Sequence, residues 1–217
     1  MAKGIDYSIY LVTDDYYLNT DGAYQVIELA IQAGVTLLQY RVKEKNSREM
    51  LREAVIMREL SRKYGVPLII NDRMDIALAV DADGLHLGQD DLPLEVARRY
   101  MGDKIIGVSA TCYDEAKEAI LKGADYVGIG PVFPTGTKKD AKQPCGLEII
   151  QTLKKEFPLI PLVAIGGINF DNITQVIRTG IDGVAIISAI LGSSDQSGAV
   201  RQFAQIFAGE KGLETVL

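Results

Sequence analysis

Residues 130–140, GPVFPTGTKKD, place two threonines and two lysines in a segment with few hydrophobic side chains. An apolar run that predicts a buried strand precedes the segment, and Pro131 and Pro134 prevent a helix from starting directly after it. Hydroxyl and ammonium groups at the end of a strand can donate hydrogen bonds to phosphate oxygens. We therefore predict a phosphate-binding loop with the donors Thr135, Thr137, Lys138 and Lys139.

A second group of cations follows the predicted second strand, in the sequence QYRVKEK. Gln39, Arg41 and Lys43 stand at alternate positions, and extended backbone turns alternate side chains to one side. The planar fork of Arg41 and the point charge of Lys43 suit a phosphate group. A solvated charge run is the alternative, and Lys45 fits that description better.

Two aspartates follow the third and fourth predicted strands, in the sequences IIND and HLGQDD. Asn71, Asp72 and Asp91 are therefore expected over adjacent strands. Carboxylates beside a phosphate site suit Mg²⁺, which completes its ligand shell with phosphate oxygens and water. Helix capping is equally compatible with both aspartates, because a helical pattern follows each of them. The residues alone leave magnesium binding and capping open.

Small polar groups lie at the end of the fifth predicted strand and directly after the seventh and eighth. Ser109 can donate its hydroxyl to a phosphate oxygen, whereas Thr111 with Asp114 predicts a capping box for the next helix. Gly167 and Ser188 occupy the positions where barrel loops often bind phosphate through backbone amides. A tight turn alone is the alternative explanation for the glycine.

The histidine and cysteine content disfavours two large enzyme classes. His86 is the only histidine and lies within a predicted strand, which favours a structural role. Hydrolase triads and zinc sites therefore have no support in the sequence. Cys112 and Cys145 are too few for a disulfide framework and lack CxxC spacing, so we expect reduced thiols.

Short apolar runs alternate with amphipathic helical patterns along the chain, which is typical of repeated βα units. Eight such units, with no GxGxxG turn after the first strand, predict a single-domain (β/α)8 TIM barrel over 1–217. Ser47 is the expected N-cap of the clearest helix, and 209–217 are expected to form a flexible tail. The predicted strands cover 9–13, 36–40, 68–71, 84–87, 105–109, 126–130, 162–165 and 183–187.

The charge and hydropathy of the chain limit its partners. A formal net charge of −6 disfavours nucleic acid and anionic membrane surfaces. The start, MAKGIDYSIY, lacks the apolar core of a signal peptide, and no apolar run approaches the roughly 18 residues of a membrane span. We expect a cytoplasmic protein that acts on small-molecule substrates, with no nucleic-acid or membrane partner, and a homo-oligomer is left open.

The polar positions sort into two anion sites at one barrel mouth. The first combines cations with a metal and suits a diphosphate, and the second suits a monophosphate. Such a pair suggests substitution at a carbon that bears diphosphate rather than isomerisation of one sugar. The first site comprises Arg41, Lys43, Ser109 and Lys138, and the second comprises Gly166, Gly167, Ser188, Thr135 and Thr137.

Several motifs in this order resemble the thiamine phosphate synthase family over about residues 9–192. They are LVTD, LQYRVKE, IINDRMDIALAVDADGLHLGQDDLP, GVSA, GADYVGIGPVFPTGTKKDA, VAIGGI and GVAIISAI. The resemblance implies a barrel enzyme that joins 4-amino-2-methyl-5-hydroxymethylpyrimidine diphosphate to 4-methyl-5-(2-hydroxyethyl)thiazole phosphate. The implied products are thiamine phosphate and diphosphate, the implied cofactor is Mg²⁺, and the implied mechanism is a dissociative substitution.

The resemblance also implies a role for each matching residue. Asp72 and Asp91 would hold Mg²⁺. Arg41, Lys43 and Lys138 would be catalytic, because they would stabilise the departing diphosphate. The pyrimidine diphosphate would be bound by Gln39, Arg41, Lys43, Asn71, Ser109 and Lys138. The thiazole phosphate would be bound by Thr135, Thr137, Gly167, Ile187 and Ser188.

The chain departs from the family pattern at Thr111, where histidine is common, and at Gly136, where proline or serine is common. Two other functions stay open. A thiazole tautomerase-like paralogue would need a proton-transfer residue and no metal pair, so the retained Asp72 and Asp91 disfavour it. A noncatalytic binder of thiamine precursors would keep the phosphate contacts without turnover.

Overall fold

Eight parallel strands close into a barrel in which each strand pairs with the next along the chain and the last pairs with the first. The computed structural model describes residues 4–136 and 143–214. The strands are β1 Ile9–Val12, β2 Leu37–Tyr40, β3 Leu68–Asn71, β4 Gly84–Leu87, β5 Ile105–Ala110, β6 Tyr126–Ile129, β7 Leu162–Ile165 and β8 Gly183–Ile186. The predicted (β/α)8 TIM barrel is confirmed, and each predicted strand matches an observed strand to within one residue at either end.

Helices surround the barrel and cover the outer face of the sheet. The described helices are α1 Asp15–Leu18, α2 Ala23–Gln32, α3 Ser47–Tyr64, α4 Met74–Ala79, α5 Leu94–Met101, α6 Tyr113–Leu121, α7 Glu148–Glu156, α8 Ile173–Ile177, α9 Ser188–Leu191 and α10 Gln196–Glu214. Because helices cover one face of the sheet and side chains fill the other, most strand residues are buried and apolar. Helix α10 includes residues 209–214, which we expected to belong to a flexible tail.

Aspartates in three turns tie neighbouring strands together at the amino-terminal end of the barrel. Each turn precedes an even-numbered strand, and its carboxylate accepts a backbone N–H at or next to the start of the preceding odd-numbered strand. Each aspartate also pairs with a cation from a surrounding helix: Arg58, Arg98 or Lys154. The three backbone bonds, each 2.8 Å long, join Asp83 to Leu68, Asp125 to Ile106 and Asp182 to Leu162.

The N-cap of α3 is Asn46, so the prediction of Ser47 was wrong by one residue. Asn46 Oδ1 accepts the backbone N–H groups of Arg48 and Glu49 at 3.1 Å, and Glu49 Oε2 accepts the backbone N–H of Asn46 at 3.2 Å. This reciprocal pair is a capping box. Ser47 is instead the first residue of the helix.

The predicted capping box of Thr111 and Asp114 was also wrong. The N-cap of α6 is Cys112, whose side chain makes no capping hydrogen bond. Thr111 donates from its backbone N–H and its hydroxyl to Glu115 Oε2, at 2.6 and 2.9 Å. The Glu115 carboxylate therefore holds the end of β5 against the first turn of the helix.

Candidate active site

A cavity of about 600 Å³ opens at the carboxyl ends of the strands. Every predicted site residue that the structure describes lines it, whereas Thr137, Lys138 and Lys139 lie outside the described residues. The barrel therefore brings together side chains that the sequence scatters over several loops. The predicted residues in the cavity wall are Gln39, Arg41, Lys43, Asn71, Asp72, Asp91, Ser109, Thr135, Gly167, Ile187 and Ser188.

Asp72 and Asp91 do not cap the helices that follow them. Arg73 and Pro93 are the N-cap residues of α4 and α5, and neither helix receives a side-chain capping bond. Asp91 Oδ2 instead accepts the backbone N–H of Gly88 at 2.7 Å, which closes the turn after β4. Both carboxylates face the cavity, so the capping alternative has lost its support.

The two carboxyl groups are close enough to influence each other. Burial raises the pKa of Asp91 above its usual value, and the neighbouring Asp72 raises it further. The ammonium group of Lys43 hydrogen-bonds Asp72 Oδ2 and partly offsets this concentration of negative charge. Asn71 is buried beside the pair, and its Nδ2 has no hydrogen-bond partner among the described residues.

The residues directly after β1 hold the cationic segment after β2. The hydroxyl of Thr13 accepts the backbone N–H of Arg41 at 2.8 Å and donates to its carbonyl at 3.0 Å. The buried Arg41 guanidinium lies 3.5 Å from the Asp14 carboxylate, and Asp15 Oδ2 accepts the backbone N–H of Lys43 at 2.8 Å. The LVTD motif itself does not reveal this function, although the position of its Thr13 and Asp14 directly after a strand was a usable signal.

His86 belongs to the cavity wall and to a hydrogen-bond chain beneath it. Its Nε2 lies 2.8 Å from Ser109 Oγ, and its Nδ1 lies 2.8 Å from Tyr126 Oη. Tyr126 Oη is 2.8 Å from Tyr10 Oη, which accepts a hydrogen bond from Gln39 Nε2 at 2.7 Å. The histidine expected to be structural thus connects two predicted substrate-binding residues.

The glycine pair after β7 packs closely against the segment that carries Thr135. Phe133 donates its backbone N–H to the carbonyl of Gly166 at 3.1 Å. Gly167 has a φ of +67°, and a Cβ atom there would lie 2.5 Å from the Pro134 carbonyl oxygen. Close approach of two loops therefore requires glycine at this position, in addition to the turn itself.

A family model described as thiamine monophosphate synthase matches residues 9–190. The chain belongs to the thiamine monophosphate synthase family. Two thiamine-phosphate synthases, from Syntrophomonas wolfei and Chloroflexus aurantiacus, are 52% and 48% identical to it. The alignments cover 93% of this chain in both cases, and 97% and 93% of the respective relatives.

Solved structures agree with membership in the thiamine monophosphate synthase family. Thiamine phosphate pyrophosphorylase from Pyrococcus furiosus has a TM-score of 0.86 and 39% identity, covering 95% of this chain and 98% of that chain. (S)-3-O-geranylgeranylglyceryl phosphate synthase from Thermoplasma acidophilum has a TM-score of 0.68 and 13% identity, covering 93% of this chain and 94% of that chain. The second likeness shows a shared barrel fold only.

As a member of the thiamine monophosphate synthase family, the protein is an enzyme: a transferase of thiamine biosynthesis that joins a pyrimidine moiety to a thiazole moiety. Its substrates are small molecules. No helix in the described part of the chain is long and apolar enough to cross a membrane.

Proposed function

We propose that the protein condenses 4-amino-2-methyl-5-hydroxymethylpyrimidine diphosphate with 4-methyl-5-(2-hydroxyethyl)thiazole phosphate, releasing diphosphate in an Mg²⁺-dependent reaction. The observation that carries the proposal is the composition of the cavity wall. The loops after β2, β3 and β4 supply cations and carboxylates and β5 supplies Ser109, whereas the loops after β6 to β8 supply a threonine, glycines and Ser188. This division of the cavity wall supports separate sites for two phosphorylated substrates.

The donor set beside the cations fits Mg²⁺. Asp72 and Asp91 provide hard carboxylate oxygens, and the raised pKa of Asp91 reflects a site in which burial and a second carboxyl group disfavour its charged form. No group of three or more His, Cys, Asp or Glu side chains in residues 4–136 and 143–214 could hold a metal ion. Two carboxylates nevertheless suffice for Mg²⁺ when a diphosphate supplies further oxygens.

The pyrimidine diphosphate would occupy the part of the cavity after β2 to β5. Arg41 and Lys43 would hold the diphosphate and stabilise the negative charge that develops as it leaves. Mg²⁺ held by Asp72 and Asp91 would neutralise part of that charge. The other residues proposed to bind this substrate are Gln39, Asn71, Ser109 and Lys138, of which Lys138 lies outside the described residues.

The thiazole phosphate would occupy the part of the cavity after β6 to β8. Glycine at position 167 permits the close packing of two loops there, and Ser188 begins the short helix α9. Backbone N–H groups in such loops are typical phosphate donors of barrel enzymes. The residues proposed to bind this phosphate are Thr135, Thr137, Gly167, Ile187 and Ser188, of which Thr137 lies outside the described residues.

Bond formation in the proposed reaction requires no general base. Loss of diphosphate leaves a pyrimidine-methyl cation, and the thiazole nitrogen attacks it with a lone pair that it already has. The only histidine, His86, is hydrogen-bonded to Tyr126 and Ser109. The retained pair of Asp72 and Asp91 in the cavity wall favours a synthase over a thiazole tautomerase-like paralogue, which would need no metal pair.

An assay of diphosphate release tests the proposal. The protein is mixed with both substrates and Mg²⁺, and the assay is repeated with a chelator, without the thiazole phosphate, and with Asp91→Ala. Asp103→Ala is the matched control, because this exposed aspartate lies in the turn before β5, at the other end of the barrel. Absence of diphosphate release from the wild-type protein would support the noncatalytic binder.

A cytoplasmic location and a homo-oligomer stay predictions.

A further inference from the structure

A buried hydrogen-bond chain joins Gln39 to Ser109 through Tyr10, Tyr126 and His86. We propose that Tyr10, Tyr126 and His86 are positioning residues that hold the Ser109 hydroxyl as a hydrogen-bond donor toward the cavity. The catalytic consequence of this inference rests on the proposed function, whereas the direction of the hydrogen bonds does not.

The direction of the chain follows from counting donors. The Nε2 group of Gln39 can only donate, so Tyr10 Oη is the acceptor of their 2.7 Å hydrogen bond. Tyr10 has one proton of its own, and Tyr126 Oη lies 2.8 Å away as its acceptor. Tyr10 is 1% exposed, so bulk water does not compete for that proton. Tyr10 therefore donates to Tyr126.

The number of donors and acceptors also determines which ring nitrogen of His86 carries the proton. Because the Tyr126 oxygen accepts from Tyr10, its own proton is donated to His86 Nδ1 at 2.8 Å. A neutral imidazole whose Nδ1 accepts carries its proton on Nε2, and this N–H donates to Ser109 Oγ at 2.8 Å. Burial raises the pKa of both Tyr10 and Tyr126, so both phenols keep the protons that the chain requires.

Ser109 is the end of the chain that meets the cavity. Its oxygen accepts from His86, so its hydroxyl proton is not used within the chain and can be donated to an anion. Ser109 is partly exposed and shares the cavity wall with Arg41 and Lys43. The chain thereby adds a neutral donor to the cations proposed to bind diphosphate.

The opposite direction of hydrogen bonding has a different consequence. If the Gln39 amide turned its Oε1 toward Tyr10, every donor in the chain would reverse. His86 would then carry its proton on Nδ1, and Ser109 would donate its hydroxyl proton to Nε2. An anion in the cavity would meet a serine whose proton is already used. The position of one proton on His86 therefore distinguishes the two arrangements.

Nitrogen NMR of the histidine ring tests the direction without any variant. Because His86 is the only histidine, ¹⁵N-histidine labelling of the full-length protein gives signals from one ring. We expect a protonated Nε2 and a bare Nδ1 in the neutral ring. A protonated Nδ1, or an averaged pair of signals from two exchanging tautomers, would overturn the inference.

Tyr126→Phe tests the effect of the chain on Ser109. The variant keeps the ring but removes the hydroxyl that donates to His86, so the Nε2–H tautomer is no longer held. We expect mixed tautomers and a rise of about three- to tenfold in the KM for the pyrimidine diphosphate, with little change in the KM for the thiazole phosphate. Tyr7→Phe is the matched control, because Tyr7 is buried 5.1 Å from the Tyr126 ring and its hydroxyl has no hydrogen-bond partner among the described residues.

A double-mutant cycle with Ser109→Ala separates positioning from packing. Once the Ser109 hydroxyl is removed, Tyr126→Phe should add little further loss, because its effect passes through that hydroxyl. Additive losses, or an unchanged KM in Tyr126→Phe alone, would overturn the positioning role. Absence of diphosphate release from the wild-type protein would instead overturn the proposed function and leave the NMR result standing.

Discussion

Asp15 Oδ2 accepts the backbone N–H of Lys43 at 2.8 Å, so the first residue of α1 holds the loop after β2. Asp15 Oδ1 lies 3.4 Å from the backbone nitrogen of Glu44 and receives a second, longer hydrogen bond. The cationic segment proposed to bind diphosphate therefore depends on a carboxylate from the preceding βα unit.

Asp15→Ala should weaken binding of the pyrimidine diphosphate. Loss of the carboxylate leaves two backbone N–H groups to find other acceptors, so Lys43 is held less firmly. We expect the KM for the pyrimidine diphosphate to rise about tenfold, with a nearly unchanged KM for the thiazole phosphate. Steady-state kinetics with Asp103→Ala as the control measure this, and equal rises for both substrates would contradict it.

Mg²⁺ and diphosphate should stabilise the protein together more than separately. Asp72, Asp90 and Asp91 line the described part of the cavity, but no three carboxylates there are placed to hold a metal ion together, so the metal needs diphosphate oxygens to complete its ligands. At saturating concentrations, we expect the pair to raise the melting temperature by about 5 °C more than the sum of the separate effects. Differential scanning fluorimetry measures the shift, and an unchanged synergy in Asp91→Ala would refute the assigned metal ligands.

Asp91→Asn should abolish turnover while stabilising the metal-free protein. The pKa of Asp91 is raised in the folded state, so the folded state binds a proton more tightly than the unfolded state does. The stabilisation from this group is present below the usual aspartate pKa and is lost as pH rises through the raised value. The asparagine amide carries no charge at any of these pH values, so the variant should not lose stability as the pH rises.

Thermal unfolding between about pH 4 and pH 7 in the presence of a chelator measures this difference. We expect the melting temperature of Asp91→Asn relative to wild type to rise with pH over this window, by a few degrees in total. A variant that is equally destabilised at every pH would show that the Gly88 hydrogen bond outweighs the charge effect.

Gly167→Ala should damage both the fold and the thiazole phosphate site. The positive φ of Gly167 disfavours alanine, and the new Cβ would contact the Pro134 carbonyl oxygen. We expect destabilisation of roughly 1–3 kcal/mol and a higher KM for the thiazole phosphate. Gly136→Ala is the stability control, because a Cβ atom there meets no described atom within 4 Å. Equal unfolding midpoints for the two variants would contradict the steric argument.

Asp125→Ala should destabilise the barrel without changing the chemistry of its active site. Asp125 Oδ2 accepts the backbone N–H of Ile106 and pairs with Arg98 at 2.5 Å, at the amino-terminal end of the strands. Its removal takes the carboxylate partner from the partly buried Arg98 guanidinium, which keeps only backbone carbonyls as acceptors, and leaves the Ile106 N–H unpaired, at a cost of about 2 kcal/mol. Urea denaturation measures the cost. An unfolding midpoint equal to that of the wild type would contradict this structural role. A kcat/KM below the wild-type value at a low temperature, where the variant is still folded, would contradict it as well.

The barrel was predictable because each βα unit is encoded locally. A strand buried on both faces appears as a short apolar run, and eight such runs separated by helical patterns leave few alternatives. The errors at Ser47 and Thr111 have a common cause. Several residues near the start of a helix can serve as its N-cap, because serine, threonine and asparagine side chains can each accept a backbone N–H. The backbone geometry decides which residue takes the N-cap position.

The candidate site was only partly predictable. Polar side chains directly after strands identified the cavity residues, but their spacing could not separate metal binding from helix capping at Asp72 and Asp91. The hydrogen bond from Gly88 to Asp91 and the N-caps of the following helices removed the capping alternative. The site at the carboxyl ends of the strands follows from the topology of the barrel.

The sequence by itself determined the family, the barrel and the set of polar side chains at its mouth, because motifs and hydrophobic periods lie along the chain. Only the tertiary structure decided which of these side chains meet. Gln39 and Ser109 come from β2 and β5, and barrel closure joins them through His86 and two tyrosines that carried no signal of their own. Their contacts depend on the distance and direction of side chains in the packed interior, which no local pattern records.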